Sequence, residues 1–196
     1  MSKTMHRTAW RKPLRPPGRA LVLQRLVAEH GWTRGAEIGV LSGRTFRHLL
    51  WTCPGLSLIG VDLWEPQPGA DNDRGGRSYA HYDLRGFELN LREQTRAFGD
   101  RARLIKGPSV AVASTIPDET LDFVFIDADH TEEGAAADIE AWAPKLKPTG
   151  WLTGHDTHFP SVRSVIDKVL PGWTQHDDHV WTIPKSGTCF SMGSAR

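Results

Sequence analysis

The sequence contains only two cysteines among 196 residues, Cys53 and Cys189. Neither belongs to a Cys-x-x-Cys pair or lies near a histidine at zinc-ligand spacing, which argues against a disulfide framework or a zinc site. A charge excess is also absent, because 24 basic residues face 23 acidic ones. Such a balance excludes a general electrostatic attraction to nucleic acid or anionic membranes.

Long hydrophobic runs are missing as well. No apolar run approaches the ~20 residues of a membrane span, and the N-terminus lacks the apolar core of a signal peptide. We therefore expect a cytoplasmic protein with no membrane partner. A chain of 196 residues with 39% hydrophobic content suits one full core and is short for two ordinary domains.

The first nineteen residues are basic and carry no acidic side chain, and Pro13, Pro16 and Pro17 disfavour a helix there. This composition predicts a flexible, solvated arm over residues 1–19, with an arm that grips a partner or substrate as the alternative. One domain is predicted over 20–185, followed by a flexible tail over 186–196.

Within the domain, apolar strands alternate with helices. Strands are predicted at 36–40, 56–62, 103–105, 121–127 and 151–154, helices at 21–30, 45–51, 84–98, 135–142 and 162–169, and a closing hairpin at 173–176 and 180–183. Strands separated by helices require a mainly parallel sheet. The pattern predicts one doubly wound α/β domain: seven strands, helices on both faces, and a C-terminal antiparallel hairpin.

Residues 64–85 break this alternation with prolines, glycines and no regular period. A loop of this length inside a small domain is more often functional than idle, so we expect a lid over the site. Its Trp64, Tyr79 and Tyr82 could wall a substrate pocket. Its arginines could meet an anionic substrate, although a solvated surface is the simpler explanation: Arg74, Arg77 and Arg85.

The turn at 37–45 places Gly39 and Gly43 between a strand and a helix. Glycines allow a tight turn and close backbone approach to a ligand, and the helix N-terminus favours a carboxylate. The G-x-x-x-G spacing differs from the fingerprint of dinucleotide enzymes and from a P-loop. An ordinary strand-to-helix turn is the alternative.

Asp62 ends the next strand about 20 residues later, where an acid in this topology binds ribose hydroxyls. NAD enzymes also combine a glycine-rich turn with a strand-end acid, so only the glycine spacing can distinguish an NAD site from the site of another ribose-containing cofactor. With this acid, the motifs together resemble class I S-adenosylmethionine-dependent methyltransferases, in the small O-methyltransferase-like branch with macrolide-sugar methyltransferases and cephalosporin-hydroxylase-like proteins. They are Glu37-x-Gly39-x-x-x-Gly43-x-Thr45, Gly60-Val61-Asp62, Ile126-Asp127-Ala128-Asp129-His130 and Gly154-His155-Asp156.

The resemblance implies a role for each matching position. The turn would hold the amino-acid end of S-adenosylmethionine, Asp62 the ribose, Leu63 or Trp64 the adenine face, Ser109 the adenine edge, and Asp127 the methionine moiety near the methyl. The implied cofactor-binding set is Glu37, Gly39, Ser42, Gly43, Thr45, Asp62, Leu63, Trp64, Ser109 and Asp127.

Metal-dependent relatives place ligands at positions that correspond here to Asp127, His155 and Asp156. Oxygen ligands suit Mg²⁺, whereas the nitrogen of His155 leaves Mn²⁺ or another nitrogen-tolerant ion open. The alternative is that these side chains only organise loops by hydrogen bonding.

His130 matches the position at which sugar-modifying relatives carry a general base, together with Asp127 as a catalytic residue. Imidazole is suited to removing a hydroxyl proton near neutral pH. A helix-capping or buried, hydrogen-bonded histidine is the alternative.

The resemblance therefore implies methyl transfer from S-adenosylmethionine to a hydroxyl of a small molecule, such as a sugar or secondary metabolite, with or without a metal. A cofactor-binding partner or regulatory protein without methyl transfer is the second hypothesis, and an NAD-linked oxidoreductase is the third. A nucleic-acid substrate is disfavoured by the charge balance, and a homo-oligomer is left open.

Overall fold

The computed structural model describes residues 15–66 and 82–187. Its strands are β1 (Arg34–Ile38), β2 (Ser57–Asp62), β3 (Ala102–Lys106), β4 (Leu121–Ile126), β5 (Leu146–Gly154), β6 (Thr174–Gln175) and β7 (Trp181–Pro184). They form one sheet in the order β3-β2-β1-β4-β5-β7-β6. The first five strands are parallel, and β7 and β6 are added antiparallel. The predicted fold is confirmed, including the closing hairpin.

Within the described ranges, α1 (Gly18–His30) precedes β1, and five further α-helices follow: α2 (Arg44–Thr52), α3 (Leu84–Thr95), α4 (Ser109–Ala113), α5 (Glu132–Trp142) and α6 (Pro160–Val169). Short 3₁₀ turns occupy Arg96–Arg101, Ala143–Lys145 and Lys185–Gly187.

The core is divided by the sheet into two apolar clusters, and the side chains of β4 alternate between them. Phe123 and Phe125 join the cluster that contains the buried residues of α1, α2 and α3. Val124 and Ile126 join the cluster formed with α4, α5 and α6. Helices therefore cover both faces, and the continuous apolar run of β4 follows from its burial on both sides.

Several element boundaries differ from the prediction by a few residues, and one helix is not predicted. Helix α1 begins at Gly18, so Arg19, assigned to the arm, is helical. Strand β5 begins at Leu146, five residues before the predicted start, and Leu146 pairs with Leu121 of β4 ahead of a shift in register. Pro148 and Gly150 within this segment are not typical of strands, so the sequence does not predict its first half. Helix α4 has only five residues, too few to give a periodic signal.

Most of the predicted lid, together with residues 1–14 and 188–196, lies outside the described residues. This applies to Arg74, Arg77 and Tyr79. The last part of the predicted lid is helical, because α3 begins at Leu84 with the Asp83 carboxylate accepting from the Gly86 amide at 2.8 Å. Across the described ranges, no helix is both long and apolar enough to cross a membrane.

Candidate active site

The candidate site lies at the ends of β1 and β4, which are neighbours in the sheet. From β1 the chain builds the sheet outward through β2 and β3 on one side, and then through β4 and β5 on the other. Hydrogen bonds continue past the strand ends, with the amide of Asp127 donating to Ile38 and that of His155 donating to Ile126. The side chains after β1, β4 and β5 are thereby held at one edge of the sheet, which is where ligands bind in doubly wound folds.

The two glycines of the first turn both have positive φ, +85° at Gly39 and +73° at Gly43. A Cβ on Gly39 would lie 2.1 Å from the carbonyl oxygen of Asp127, and one on Gly43 would lie 2.2 Å from Leu91. In this structure the glycines therefore allow close contact with the protein's own β4 end and α3. Contact with a cofactor stays a prediction for both.

Asp62 joins the ends of β1 and β2. Its carboxylate accepts from the amides of Leu41 and Trp64, each at 2.7 Å, and the Trp64 indole donates to the Leu41 carbonyl at 2.8 Å. Burial raises the pKa of Asp62 although these amide bonds oppose the rise. Trp64 is only 2% exposed, so its ring packs in the core beside the half-buried Leu63.

Several buried polar atoms at this edge, including Nε of Arg19 and Nε2 of His155, lack hydrogen-bond partners among the described residues. Two others belong to the turn at residues 37–45. They are Oε2 of Glu37 and Oγ1 of Thr45, whose residues are 3% and 2% exposed. Burial, followed by the charge of Asp127, raises the pKa of Glu37 well above its usual value. Unsatisfied buried groups are rare and call for an explanation such as a bound polar ligand. An ammonium or hydroxyl donor would satisfy Glu37, and the half-buried Ser42 lies in the same turn.

The acid–histidine strand ends form one connected cluster. His130 Nε2 lies 2.7 Å from Asp156 Oδ2, and His155 Nδ1 lies 2.8 Å from Asp156 Oδ1 and 3.5 Å from Asp127 Oδ1. Asp156 adopts φ +67°, unusual for a residue with a side chain, and this conformation is typical of functional sites. The structure thus brings together all four residues predicted for catalysis and metal binding.

Charge is balanced within this cluster. Burial favours a neutral His155, but its contacts with Asp127 and Asp156 outweigh this and raise the pKa of His155 to about 9. Burial acts to raise the pKa of Asp156, yet hydrogen bonds from His130 and His155 hold it well below its usual range. Burial raises the pKa of Asp127, and His155 and Arg19 offset part of this rise. At neutral pH, an imidazolium at position 155 faces an ionised Asp156.

Arg19 is the site residue that sequence reasoning missed. Its Nε lies 2.8 Å from Asp127 Oδ2. Its one signal in the sequence is a positive charge next to an apolar helix. That charge is not distinctive, because the predicted arm over residues 1–19 contains several other basic residues.

Three residues near the motifs have other contacts. Ser109 Oγ accepts from the Trp142 indole at 2.8 Å and is hydrogen-bonded to Asp138, so this hydroxyl ties α4 to α5. Its predicted place at the adenine edge stays a prediction. Asp129 is exposed and accepts from the Thr131 amide at the start of α5. His158 is exposed, its ring is tilted against that of Phe159, and its Nδ1 lies 3.7 Å from Asp156 Oδ1 at the rim of the cluster.

A small cavity of about 10 Å³ adjoins the cluster. Asp127, His130, His155 and Asp156 line it together with apolar side chains of α5 and α6.

The sequence profile of a family described as a methyltransferase domain matches residues 36–157. This range begins in β1 and ends just after the His155-Asp156 pair. A comparison with curated protein sequences gives no significant match.

Solved structures share the fold at low identity. The calicheamicin methyltransferase CalS11 is 17% identical with a TM-score of 0.64, over 85% of this chain and 77% of its own. An O-methyltransferase from Bacillus cereus, solved in complex with SAH, is 17% identical with a TM-score of 0.59, over 88% and 84%. The profile match covers more than half of the sequence. The chain therefore belongs to the methyltransferase-domain family, as its strand-end motifs predict.

Proposed function

We propose that this protein transfers the methyl group of S-adenosylmethionine to a hydroxyl of a small molecule, with His130 as the general base. The observation that carries this proposal is the contact of His130 with Asp156 beside Asp127, at the carboxyl ends of β4 and β5. Bound S-adenosylmethionine supplies an electrophilic methyl on a sulfonium.

The residues present fit this cofactor. Oε2 of Glu37 and the hydroxyl of Thr45, which have no hydrogen-bond partner in the part of the chain that the structure describes, suit the polar amino-acid end. Asp62 keeps acceptor capacity for ribose hydroxyls, because its two carboxylate oxygens have four lone pairs and at most three backbone amides, those of Leu41, Trp64 and Val40, donate to them. The remaining predicted contacts belong to the same proposal: Gly39, Ser42, Gly43, Leu63, Trp64, Ser109 and Asp127.

His130 is oriented for proton removal by Asp156. Since the low pKa of Asp156 keeps it ionised, His130 Nε2 carries a proton and donates to it. A neutral imidazole in this tautomer has its lone pair on Nδ1, the atom that would take the hydroxyl proton. Stacking of the imidazole on Phe159, with centroids 4.6 Å apart, holds its plane. Asp156 then stabilises the imidazolium that forms.

A divalent cation stays a prediction within this proposal. Asp127, His130 and Asp156 each offer a ligand atom, and these atoms lie within 4.8 Å of one another. This set has His130 where the predicted set had His155. A mixed nitrogen and oxygen set suits Mn²⁺ better than Mg²⁺. However, Arg19 and His155 already balance the acids, so activity that survives chelation would favour the metal-free reaction.

The acceptor is proposed to be a hydroxylated small molecule, such as a sugar or secondary metabolite, in the cytoplasm. CalS11 is described as a TDP-rhamnose 3′-O-methyltransferase and shares this fold. The test is incubation with S-adenosylmethionine and a panel of nucleotide sugars, glycosides and catechols. Equimolar S-adenosylhomocysteine and O-methylated product would support the proposal. Tight cofactor binding with no transfer to any acceptor would favour a cofactor-binding protein without methyl transfer.

A further inference from the structure

We propose that Arg19, at the start of α1, binds the carboxylate of the amino-acid end of S-adenosylmethionine. This inference rests on the proposed cofactor. It gives the basic N-terminal end of the domain a specific role, whereas the sequence predicts a solvated arm, with an arm that grips a partner or substrate as the alternative.

The guanidinium of Arg19 is placed at the site with unused donors. Its Nε lies 2.8 Å from Asp127 Oδ2, but the N–H bond does not point at that oxygen, so the contact is an ion pair without a hydrogen bond. The Nε atom is buried, while the side chain as a whole is 30% exposed. Its terminal NH₂ groups make no hydrogen bond with any residue in the described ranges. A buried, misaligned donor on a charged group indicates that a better acceptor is missing.

The charges around Arg19 match an α-amino acid. Glu37 and Asp127 are acids close enough to influence each other and Arg19 electrostatically, and Oε2 of Glu37 has no described partner. A free amino acid carries one ammonium and one carboxylate on the same carbon. The acids suit the ammonium, and the planar guanidinium suits the carboxylate through two parallel hydrogen bonds.

The backbone at Arg19 is fixed in advance. Its amide donates to the Asp178 carboxylate, which sits at the N-terminus of α1, where a negative charge is favourable. Asp178 and His179 both have positive φ, +51° and +57°, in the turn before β7. A Cβ on Gly18 would lie 2.7 Å from Asp178, so the turn and the helix are in close contact. Such anchoring lowers the entropy lost when Arg19 orders around a ligand.

The experiment compares two ligands that differ by this carboxylate alone. Calorimetry measures the binding of S-adenosylmethionine and of its decarboxylated analogue to the wild type, to Arg19→Met and to Arg19→Lys. The lysine variant keeps a charge opposite Asp127 if the methionine variant fails to fold. Arg25→Met on the same helix is the matched control, since Arg25 is exposed and forms an ion pair with Glu29 at 3.7 Å, away from Asp127.

We expect Arg19→Met to weaken S-adenosylmethionine binding by roughly 10- to 100-fold, the usual effect of losing a charged hydrogen bond. The same substitution should leave the affinity for the decarboxylated analogue within about twofold, and Arg25→Met should change neither. Equal losses for both ligands, or no loss for either, would overturn the inference while leaving the cofactor intact. A wild type that binds neither ligand would instead refute the proposed function itself.

Discussion

His130 Nε2 lies 2.7 Å from Oδ2 of Asp156, and the other oxygen of that carboxylate lies 2.8 Å from His155 Nδ1. One carboxylate therefore orients two imidazoles, of which only His130 is proposed to act as a base. His155, with its pKa raised to about 9, is a proton donor at neutral pH and is unsuited to proton removal.

Replacing His130 by alanine should lower kcat by about 100-fold or more, the usual contribution of a general base. The affinity for S-adenosylhomocysteine should change little, because none of the proposed cofactor contacts is removed. Single-turnover kinetics and calorimetry measure the two effects separately. Full turnover in His130→Ala would refute the base assignment.

The strands and the grouping of the strand-end residues could be predicted because they leave local patterns. The run Phe123–Ile126 is apolar at every position since both of its faces are buried. Parallel topology then places Asp127 and His155 at the same edge without further information.

The contact of Arg19 with Asp127 could not be predicted in this way. The two residues are distant in the sequence, and an ion pair between distant segments has no periodicity. Pro16 and Pro17, which disfavour a helix, also lie just before Arg19, although Pro17 is in fact the N-cap residue of α1. The hydroxyl of Ser109 was equally hidden, because its partners Asp138 and Trp142 lie one helix further along the chain.

Glu37→Gln should stabilise the cofactor-free protein and weaken cofactor binding. Burial and the charge of Asp127 raise the pKa of Glu37, so folding disfavours its ionised form, and the neutral amide of glutamine avoids this cost at neutral pH. The substitution also removes the negative charge proposed to meet the cofactor's ammonium, so affinity should fall roughly 10-fold or more. Thermal unfolding and calorimetry on the same samples test both parts. A glutamine variant that is less stable and binds equally well would contradict this role.

Gly39→Ala should destabilise the fold far more than Gly31→Ala. Both glycines have positive φ, which costs about 1–2 kcal/mol for alanine. A Cβ on Gly31 meets nothing within 4 Å, whereas one on Gly39 meets the Asp127 carbonyl at 2.1 Å. We expect a difference of at least about 2 kcal/mol between the variants in urea unfolding, because the clash adds to the backbone strain. Equal destabilisation would show that β1 and β4 are not this close.

Asp138 should make the stability depend on pH. Burial raises the pKa of Asp138 from 3.8 to about 6 in the folded protein, although the bond from Ser109 opposes the rise. The protonated form is therefore favoured by folding, and its stabilisation is complete below about pH 4 and lost as pH rises through about 6. The shift corresponds to at most about 3 kcal/mol.

Asp138→Asn has no carboxyl group to ionise at this position, so its free energy of unfolding should not fall in this way. The difference in unfolding free energy between this variant and the wild type should therefore increase between pH 4 and pH 7 in chemical unfolding. Asp118→Asn is the control, because Asp118 is a surface residue with its side chain 63% exposed. Parallel stability curves for the wild type and Asp138→Asn would rule out the proposed neutral, buried acid.

The most direct measurement is calorimetric titration of the wild-type protein with S-adenosylmethionine, S-adenosylhomocysteine and NAD. The account predicts saturable binding of the first two, one molecule per chain, with no heat from NAD. The G-x-x-x-G spacing of the turn at residues 37–45 is the reason to favour S-adenosylmethionine over NAD. Binding of NAD in place of S-adenosylmethionine would therefore contradict the cofactor assignment. Binding of none of the three would remove the basis for methyl transfer at this site.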